Sequence, residues 1–300
     1  MDAGVVLGDV WQPASEEDQL NLECSRLGGE PTWFRPLSQM SPLRRRGTLN
    51  CGYCTQRTTF IGQFSAGSAT APRRLLHVFG CQNPGCGFGR QAWLVLRSTA
   101  GSSADALRGA RSPVAADSWP CFTLWMYTEP EERHKSDAHE LELLERYRAS
   151  EFAVDEPWLA ELSARDWRDE DVAADSESGS DDGEADETQQ SAVFQRFTRR
   201  LDRSPSQVVR LSRVCKPLWL AKPPPQVTEG AWPPDCELCG APRRPELQLL
   251  PTLLHLTCKL CPERACDGDV GWSTVVVYTC SRDCISEEPC REFVVVQPSV

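Results

Sequence analysis

The sequence contains no hydrophobic run that is long enough to cross a membrane. Its apolar stretches are all far shorter than the about 18 residues that a membrane-spanning helix needs. The first nine residues are also not followed by the apolar core of a secretory signal peptide. These absences favour a chain that stays inside the cell, where thiols remain reduced. We therefore expect a cytoplasmic protein with no membrane partner.

An excess of positive charge is also missing. The chain has 32 Lys and Arg against 43 Asp and Glu, which gives a formal net charge of −11. Ten of the acidic residues lie in Asp169–Glu187, which contains no Lys or Arg, and the rest of the chain is near neutral at −1. Direct binding of nucleic acid is therefore not expected from bulk charge. The acidic run is typical of a disordered linker, which we place at 169–190, and its charge is able to attract a basic partner.

Cysteine, by contrast, is plentiful, with 15 residues. In a reducing compartment, clustered cysteines indicate bound metal more often than disulfides. Two pairs of thiolates on tight turns can surround one zinc ion as a tetrahedron, and such a site is structural because no position stays open. The spacing therefore predicts two structural zinc ions. Their predicted ligands are Cys51, Cys54, Cys81 and Cys86 in the first site and Cys236, Cys239, Cys280 and Cys284 in the second.

The two cysteine units have the same order of features. Each begins with Cys-x2-Cys and continues through an apolar run with a glutamine, Gln63 or Gln248. Each then has a hydrophobic run that leads into a third cysteine, a fourth cysteine four or five residues later, and a last apolar run. This agreement predicts a duplicated, zinc-clipped unit of antiparallel strands. A unit of about fifty residues buries little core, and bound zinc would supply the missing folding free energy, about 10 kcal/mol in small fingers.

The ligands of the second site have an alternative, because three more cysteines lie between its two pairs. They could compete as ligands or form a separate site. We rank the four cysteines that the repeat predicts above them. The alternative ligands are Cys258, Cys261 and Cys266.

Five other cysteines and histidines have a simpler interpretation. Isolated thiols in mixed surroundings are usually buried packing residues. Histidines within apolar runs are more often core or hydrogen-bonded residues than metal ligands. These residues are Cys24, Cys121, Cys215, His77 and His255.

The whole pattern predicts a β-rich α+β fold in which two duplicated zinc-clipped antiparallel β units carry a few helices and an acidic disordered insertion. We expect an N-terminal β unit with the first four-cysteine zinc site at 1–130 and a helical connector at 131–168. The acidic disordered linker occupies 169–190. A C-terminal domain at 191–300 contains two helices and the second four-cysteine zinc unit.

The two helices of the C-terminal domain are predicted from local signals. Ala192–Leu201 places Phe194, Phe197 and Leu201 on one stripe. A second helix is predicted to begin at Ser204, because Ser-Pro-Ser-Gln combines an N-cap serine, a proline in the first turn and a glutamine at the third position.

Along nearly the whole chain, a linked series of motifs resembles the programmed cell death 2 family. The chain lacks a Cys/His cluster between Cys86 and Cys236, so the MYND finger of programmed cell death 2 itself is missing. In this respect it is similar to the programmed cell death 2-like and yeast 20S rRNA accumulation protein 4 branch. The motifs are Leu27–Trp33, Arg74–Cys81, Val95–Ser98, Phe194–Phe197, Pro205–Arg210, Pro217–Trp219, Cys236–Gly240, Val277–Cys284 and Glu292–Gln297.

The resemblance implies a function in making the 40S ribosomal subunit. Family members act as dedicated chaperones of one newly synthesised, basic small-subunit ribosomal protein, and their loss leaves 20S pre-rRNA unprocessed. The resemblance also allows passage through the nucleus and contact with the nuclear export machinery. No client-binding residues follow from it.

Two other functions are weighed against this one. The first is a zinc-ribbon protein that binds pre-rRNA or pre-ribosomes directly. The second is a zinc-dependent enzyme such as a ubiquitin ligase or hydrolase. We do not expect an enzyme, because the sequence has no phosphate loop, metalloprotease helix or Ser-His-Asp order, and its two cysteine sites are about 180 residues apart instead of interleaved.

Overall fold

The computed structural model describes residues 4–36, 40, 49–68, 71–83, 85–100, 109–111, 119–130, 183–224, 233–260 and 272–298, with the backbone alone for 111, 183–191 and 257–260. No helix in these residues is both long enough and apolar enough to span a membrane. The elements are β1 Val6–Pro13, α1 Glu16–Leu20, β2 Arg26–Leu27, β3 Thr32–Trp33, β4 Thr59–Ser65, β5 Arg74–Gly80, a 3-10 turn Arg90–Ala92, β6 Trp93–Thr99, β7 Ala110–Arg111, β8 Phe122–Thr128, α2 Gly183–Leu201, β9 Gln207–Leu211, β10 Arg243–Leu249, α3 Thr252–Leu260, β11 Trp272–Cys280 and β12 Cys290–Pro298.

Ten of these strands close into one antiparallel barrel. Their order around the barrel is β1-β8-β2-β4-β5-β6-β12-β11-β10-β9, and β9 pairs again with β1. The strands around the first cysteine unit meet those around the second at two places, β6 against β12 and β1 against β9. Closure removes the free edges that two separate sheets would expose. The two cysteine units therefore share one sheet.

The pairing register shows that the two halves of the barrel repeat each other. In one half Gln63 pairs with His77 and His77 with Leu96. In the other, Gln248 pairs with Val276 and Val276 pairs with Val295. The β4–β5 and β10–β11 pairings also have a register shift at the same place, one to three residues before the glutamine. The barrel is therefore built from two equivalent five-stranded halves, β8-β2-β4-β5-β6 and β1-β9-β10-β11-β12.

The apolar core follows from the alternation of side chains along the strands. On β6, Trp93 and Val95 join the central cluster, whereas Leu94 and Leu96 join a second cluster on the opposite face. The central cluster takes side chains from both halves. Each buried aliphatic side chain of this size contributes about 1.5–3 kcal/mol of transfer free energy. The barrel and not either half alone is therefore the unit that buries the core.

A tryptophan covers the opposite face of each half. Trp33 is fully buried in the second cluster, and Trp219 packs against the equivalent cluster around Val276. The repeated glutamines hold the segments that carry these side chains. Gln63 Oε1 accepts a hydrogen bond from the N–H of the residue before Trp33 at 3.1 Å, and Gln248 Oε1 accepts one from the residue before Trp219 at 3.0 Å.

The structure confirms a β-rich fold and the strands predicted from short apolar runs. It also confirms a helix ending at Leu201. The helix predicted to begin at Ser204 is wrong, because Gln207–Leu211 forms β9 between β1 and β10. Val208 and Val209 are β-branched and fully buried there, and the two flanking strands satisfy the backbone of β9 on both sides. Long-range pairing outweighs the local helix signal.

The predicted acidic linker is also partly corrected. α2 begins at Gly183, so residues 183–190 of the linker predicted at 169–190 are helical. Its remaining part, 169–182, lies outside the described residues, as does the predicted helical connector at 131–168. The domain bounds at 1–130 and 191–300 stay predictions.

Candidate metal centres

The first cysteine cluster forms where two turns meet beside β4 and β5. Cys51 and Cys54 lie on the turn before β4, Cys81 follows β5 directly, and Cys86 lies on the turn before β6. The four Sγ atoms all lie within 4.8 Å of one another, and Cys54 Sγ is 3.6 Å from Cys81 Sγ. The structure thus brings the first predicted quartet together.

The second cluster repeats this arrangement in the other half of the barrel. Cys236 and Cys239 lie on the turn before β10, Cys280 ends β11, and Cys284 lies on the turn before β12. Their Sγ atoms lie within 4.8 Å of one another, with Cys236 3.6 Å from Cys284 and Cys239 3.4 Å from Cys280. The second predicted quartet is brought together as well.

Both Cys-x2-Cys turns have the same backbone conformation. The N–H of the first cysteine donates to the carbonyl oxygen five residues later at 2.8 Å in each turn. The residue after the second cysteine has a positive φ, 60° at Thr55 and 64° at Gly240. Glycine adopts this conformation without strain, whereas a β-branched threonine does not. The first turn therefore holds Thr55 in a conformation that its surroundings must enforce.

Backbone N–H groups point at the sulfur atoms, which is the arrangement that stabilises thiolates. The N–H of Tyr53 donates to Cys51 Sγ and that of Asn83 to Cys81 Sγ, both at 3.4 Å. Burial tends to raise the pKa of Cys280, but hydrogen bonds from backbone N–H groups outweigh it and lower that pKa to about 7.

Other thiols of the clusters are shifted the opposite way. Burial raises the pKa of Cys284 to about 12 and also raises that of Cys81. Thiols this close together cannot all ionise without a cation, because neighbouring thiolates repel. A divalent metal ion removes that repulsion and deprotonates its ligands.

The geometry and the donors of both clusters fit zinc. Zn–S bonds of about 2.3 Å in a tetrahedron place sulfur atoms about 3.8 Å apart, close to the separations of 3.4 and 3.6 Å. Soft thiolate donors select such metals over hard cations. Four thiolates complete the coordination of a zinc ion, so these sites can hold structure together but present no open position to a substrate.

One buried side chain ties each cluster to the barrel. At the first cluster, the indole N–H of Trp93 donates to the carbonyl of Gly87 at 2.9 Å. At the second, the guanidinium of Arg97 donates to the carbonyl of Cys284 at 2.5 Å and to Glu292 at 2.5 Å. Arg97 belongs to β6 and Glu292 to β12, so this pair also joins the two halves.

A network of three buried charges and the half-buried Arg213 joins the halves next to the second cluster. Arg74 donates to both carboxylate oxygens of Glu246 at 2.6 and 2.5 Å, and Arg213 donates to both of Asp283 at 2.6 Å. Burial raises the pKa of Asp283, but hydrogen bonds from Arg213 and Ser68 and the charge of Arg74 outweigh it and lower that pKa to about 2. No role of these residues was predicted from the sequence. Only Arg74 gave a local signal, because it begins the apolar run of β5.

The remaining candidates have different outcomes. The side chain of Cys258 and all of Cys261 and Cys266 lie outside the described residues, so their alternative role as ligands stays a prediction. The isolated thiols are half-buried and not fully buried; they are Cys24, Cys121 and Cys215.

The two histidines differ from each other. His77 is a fully buried, hydrogen-bonded core residue, as predicted. The core interpretation of His255 is wrong, because this residue is exposed on α3.

Both halves of the chain match models of one protein family. Residues 4–107 match the N-terminal domain of programmed cell death protein 2, and residues 191–298 match its C-terminal domain. Each match contains one complete cysteine cluster. The two matches also contain most of the strands of the barrel, apart from β8.

Curated relatives extend the similarity over most of the chain. Programmed cell death protein 2-like from Mus musculus is 25% identical over 340 aligned positions, which cover 91% of this chain and 90% of the relative. The Homo sapiens protein of the same name is 26% identical with the same coverage. Programmed cell death protein 2 from Rattus norvegicus is 32% identical over 98 positions, 33% of this chain and 26% of the relative. No solved structure matches the chain. The two family models and the full-length relatives agree, and the chain belongs to the programmed cell death 2 family.

Proposed function

We propose that this protein is a non-enzymatic, dedicated chaperone of one newly synthesised, basic ribosomal protein of the 40S subunit. In this function it supports 40S biogenesis and 20S pre-rRNA maturation. The family to which the chain belongs supports the proposal, because the motifs that carry the resemblance imply this function. It acts in the cytoplasm and passes through the nucleus with the export machinery.

The observation that carries the proposal is the closed coordination of both cysteine clusters. Each quartet supplies four thiols to one position and ties into the barrel through a buried side chain. A catalytic zinc ion needs an open position for water or substrate. Metal bound here would therefore stabilise a scaffold, and the activity of a scaffold is binding at its surface.

The charge of the chain suits a basic client. A net charge of −11 favours encounter with a cationic protein and lowers the affinity for other acidic chains. The run Asp169–Glu187, with ten acidic residues, would screen client charge before ribosomal assembly. Deleting this run should weaken client binding and reduce its salt dependence; unchanged binding at all salt concentrations would count against its role.

Affinity capture of the tagged protein from cells tests the function directly. We expect one small-subunit ribosomal protein to dominate the co-purifying proteins, together with the mRNA that encodes it, because capture occurs during synthesis. A capture that lacks any enriched ribosomal protein would refute the proposal.

Direct binding of pre-rRNA is less well supported. The arginines near the second unit have acidic partners within the protein. Arg200 lies 3.3 Å and Arg210 2.8 Å from carboxylate oxygens of Glu129, and Arg213 pairs with Asp283. Guanidiniums already paired in this way are poor phosphate ligands. Crosslinking in the same cells should accordingly enrich the basic client protein and should not enrich pre-rRNA.

A further inference from the structure

Two tryptophans on the outside of the barrel contact each other and remain exposed. Trp11 is 62% and Trp125 55% exposed, and their ring centroids are 5.4 Å apart with an interplanar angle of 38°. Single exposed apolar residues are ordinary on protein surfaces, but a contacting pair of indoles is a large apolar patch at one spot. Tryptophan is also the residue most enriched at binding hot spots. We call this pair the tryptophan platform.

The strand pairing fixes the platform in place. Trp125 on β8 pairs with Asp9 on β1, and Trp11 follows Asp9 on the same face of β1. The neighbours Val10 and Met126 point the other way and pack against the central core. The indoles are therefore held by two paired strands whose opposite face packs against the core. Little conformational entropy is lost when a ligand binds to side chains held in this way.

A carboxylate lies beside the platform in a fixed orientation. Asp9 accepts hydrogen bonds from the Tyr127 hydroxyl at 2.9 Å and from the Ser206 hydroxyl at 2.6 Å. Both donors are neutral hydroxyl groups, so no cation in these two contacts offsets the carboxylate.

The two segments that carry the platform add negative charge and no positive charge of their own, and the nearby Arg210 on β9 is paired with Glu129. Residues 4–25, which run through β1 and α1, contain five acidic residues and no Lys or Arg. Residues 119–130, which include β8, contain one acidic residue and likewise no Lys or Arg. The first turn of α1, directly after β1, alone has three of these acidic residues. An aromatic surface within a field of this sign attracts cations.

An exposed indole pair beside a carboxylate favours arginine over lysine as the bound side chain. A guanidinium is planar and weakly hydrated, so it stacks on an indole face, and its N–H donors can reach a neighbouring carboxylate at the same time. An ammonium is compact and strongly hydrated and cannot stack. Acidic neighbours also disfavour the phosphates of a nucleic acid and a second, equally acidic copy of this chain.

We propose that the tryptophan platform, formed by Trp11 and Trp125, binds an arginine-rich peptide segment by stacking guanidinium groups on the two indoles. That this segment belongs to the basic client rests on the proposed function. The binding chemistry itself does not depend on it.

Fluorescence anisotropy with a labelled peptide of alternating Arg and Gly tests the platform. The matched Lys–Gly peptide and a single-stranded oligouridine serve as comparison probes. The wild-type protein should bind the Arg peptide more tightly than the Lys peptide, and Trp11→Ala/Trp125→Ala should weaken Arg-peptide binding by at least about tenfold. Phe194→Ala removes an equally exposed aromatic side chain on α2 and should change nothing.

A second variant separates stacking from simple apolar contact. Trp11→Leu/Trp125→Leu keeps apolar bulk but removes the aromatic faces, and it should lose the preference for Arg over Lys. Zinc content and thermal unfolding confirm that each variant is folded. Equal binding of both peptides by the wild type, or unchanged Arg-peptide binding in the double-alanine variant, would overturn the proposal. So would oligouridine binding that depends on the two tryptophans.

Client capture distinguishes this proposal from the proposed function. Loss of client from the double-alanine variant, with capture intact for Phe194→Ala, supports the platform as the client site. Retention of client by that variant overturns the assignment to the client and leaves the chaperone function standing. If the wild type captures no ribosomal protein but binds the Arg peptide through the tryptophans, the chaperone function fails and the platform stands.

Discussion

Arg97 connects the two halves of the barrel and the second cysteine cluster. It lies on β6, pairs with Glu292 on β12 and donates to Cys284, and both charged side chains are 1% exposed. Breaking a buried pair by removing one partner leaves an uncompensated charge in the interior. Its effect should therefore greatly exceed that of a surface ion pair.

We predict that Arg97→Met lowers the free energy of unfolding by about 3–5 kcal/mol in urea titrations of the zinc-loaded protein. The control is Arg35→Met, since Arg35 pairs with Glu287 at 3.5 Å on the surface and should contribute less than about 1 kcal/mol. Similar losses for the two variants would show that the buried pair has no special importance.

His77 makes stability depend on pH. It is fully buried, stacks on Trp33 at 3.8 Å and donates Nε2–H to the Thr32 carbonyl at 2.9 Å. Burial lowers the pKa of His77 from 6.5 to about 3. The unfolded chain therefore binds a proton that the folded chain rejects. The contribution of His77 to stability is complete above pH 6.5 and is lost as the pH falls from there towards 3.

We predict that His77→Gln, which keeps a hydrogen-bond donor but does not titrate, flattens this dependence. Between about pH 7 and about pH 5 the wild type should lose about 2 kcal/mol more unfolding free energy than the variant. His255→Gln, at an exposed position, should follow the wild type. Acid also weakens metal binding, but it does so in all three proteins, and only the difference between them is interpreted. A wild-type slope for His77→Gln would contradict the prediction.

At the scale of single residues, the sequence predicted the metal ligands but not the buried charged residues that hold them in place. The two quartets follow from spacing and repetition, which are local properties. Arg97 and Asp283 could not be assigned, because their partners lie 195 and 70 residues away along the chain. Which partner a buried charge finds depends on the order of strands around the barrel.

At the scale of elements, two glutamines anchor two extended segments. Gln63 and Gln248 occupy equivalent register positions, and each accepts a hydrogen bond from the residue before a tryptophan. Gln248 also donates to the Leu218 carbonyl and to Thr274 at 2.9 Å. The duplication is therefore visible in the cysteine clusters and also in the way a tryptophan segment covers the outer face of each half.

We predict that Gln248→Leu costs about 1–3 kcal/mol, because it leaves the backbone N–H and carbonyl of Leu218 without partners. Limited proteolysis should cut the segment around Trp219 faster, while the zinc content stays unchanged. Gln12→Leu, at an exposed position on β1, is the control and should be within about 0.5 kcal/mol of the wild type. Unaltered proteolysis in Gln248→Leu would show that packing alone holds the segment.

The elements were predictable where local pattern and tertiary role agree. Strands β4, β5 and β11 are short apolar runs, and these runs predicted them. The prediction for residues 207–211 was wrong because a helix-capping signal precedes a β-branched run. The two strands that pair with this run, β1 and β10, come from opposite ends of the chain. A secondary-structure prediction from a short stretch of sequence contains no information about such distant partners.

At the scale of the whole molecule, zinc content decides between the two ligand sets. We predict two zinc ions per chain for the wild type and one for Cys54→Ser or Cys239→Ser, as measured by elemental analysis. The triple variant Cys258→Ser/Cys261→Ser/Cys266→Ser and the control Cys24→Ser should both retain two. A triple variant with only one ion would instead assign the second site to the alternative cysteines.

The barrel also sets how the chain unfolds. The sequence predicted two duplicated β units and gave no arrangement for them. In the structure β1 pairs with β9 as well as β8, and the central core draws on both halves. Closure of this kind depends on which strands meet, and periodicity within each unit carries no information about that. Neither half can lose its structure without exposing the core and the strand edges of the other.

We therefore predict a single unfolding transition in which both metal sites participate. Cys54→Ser and Cys239→Ser alter sites in opposite halves, yet each should lower the Tm of the whole protein by at least about 10 °C. The reason is that several kcal/mol of metal-binding free energy is lost, and each kcal/mol shifts the Tm of a chain of this size by roughly 2–4 °C. Circular dichroism and tryptophan fluorescence should report the same midpoint for each variant. Two separate transitions, of which only one moves when a ligand is removed, would mean that the halves fold independently and that the closed sheet does not couple the two metal centres.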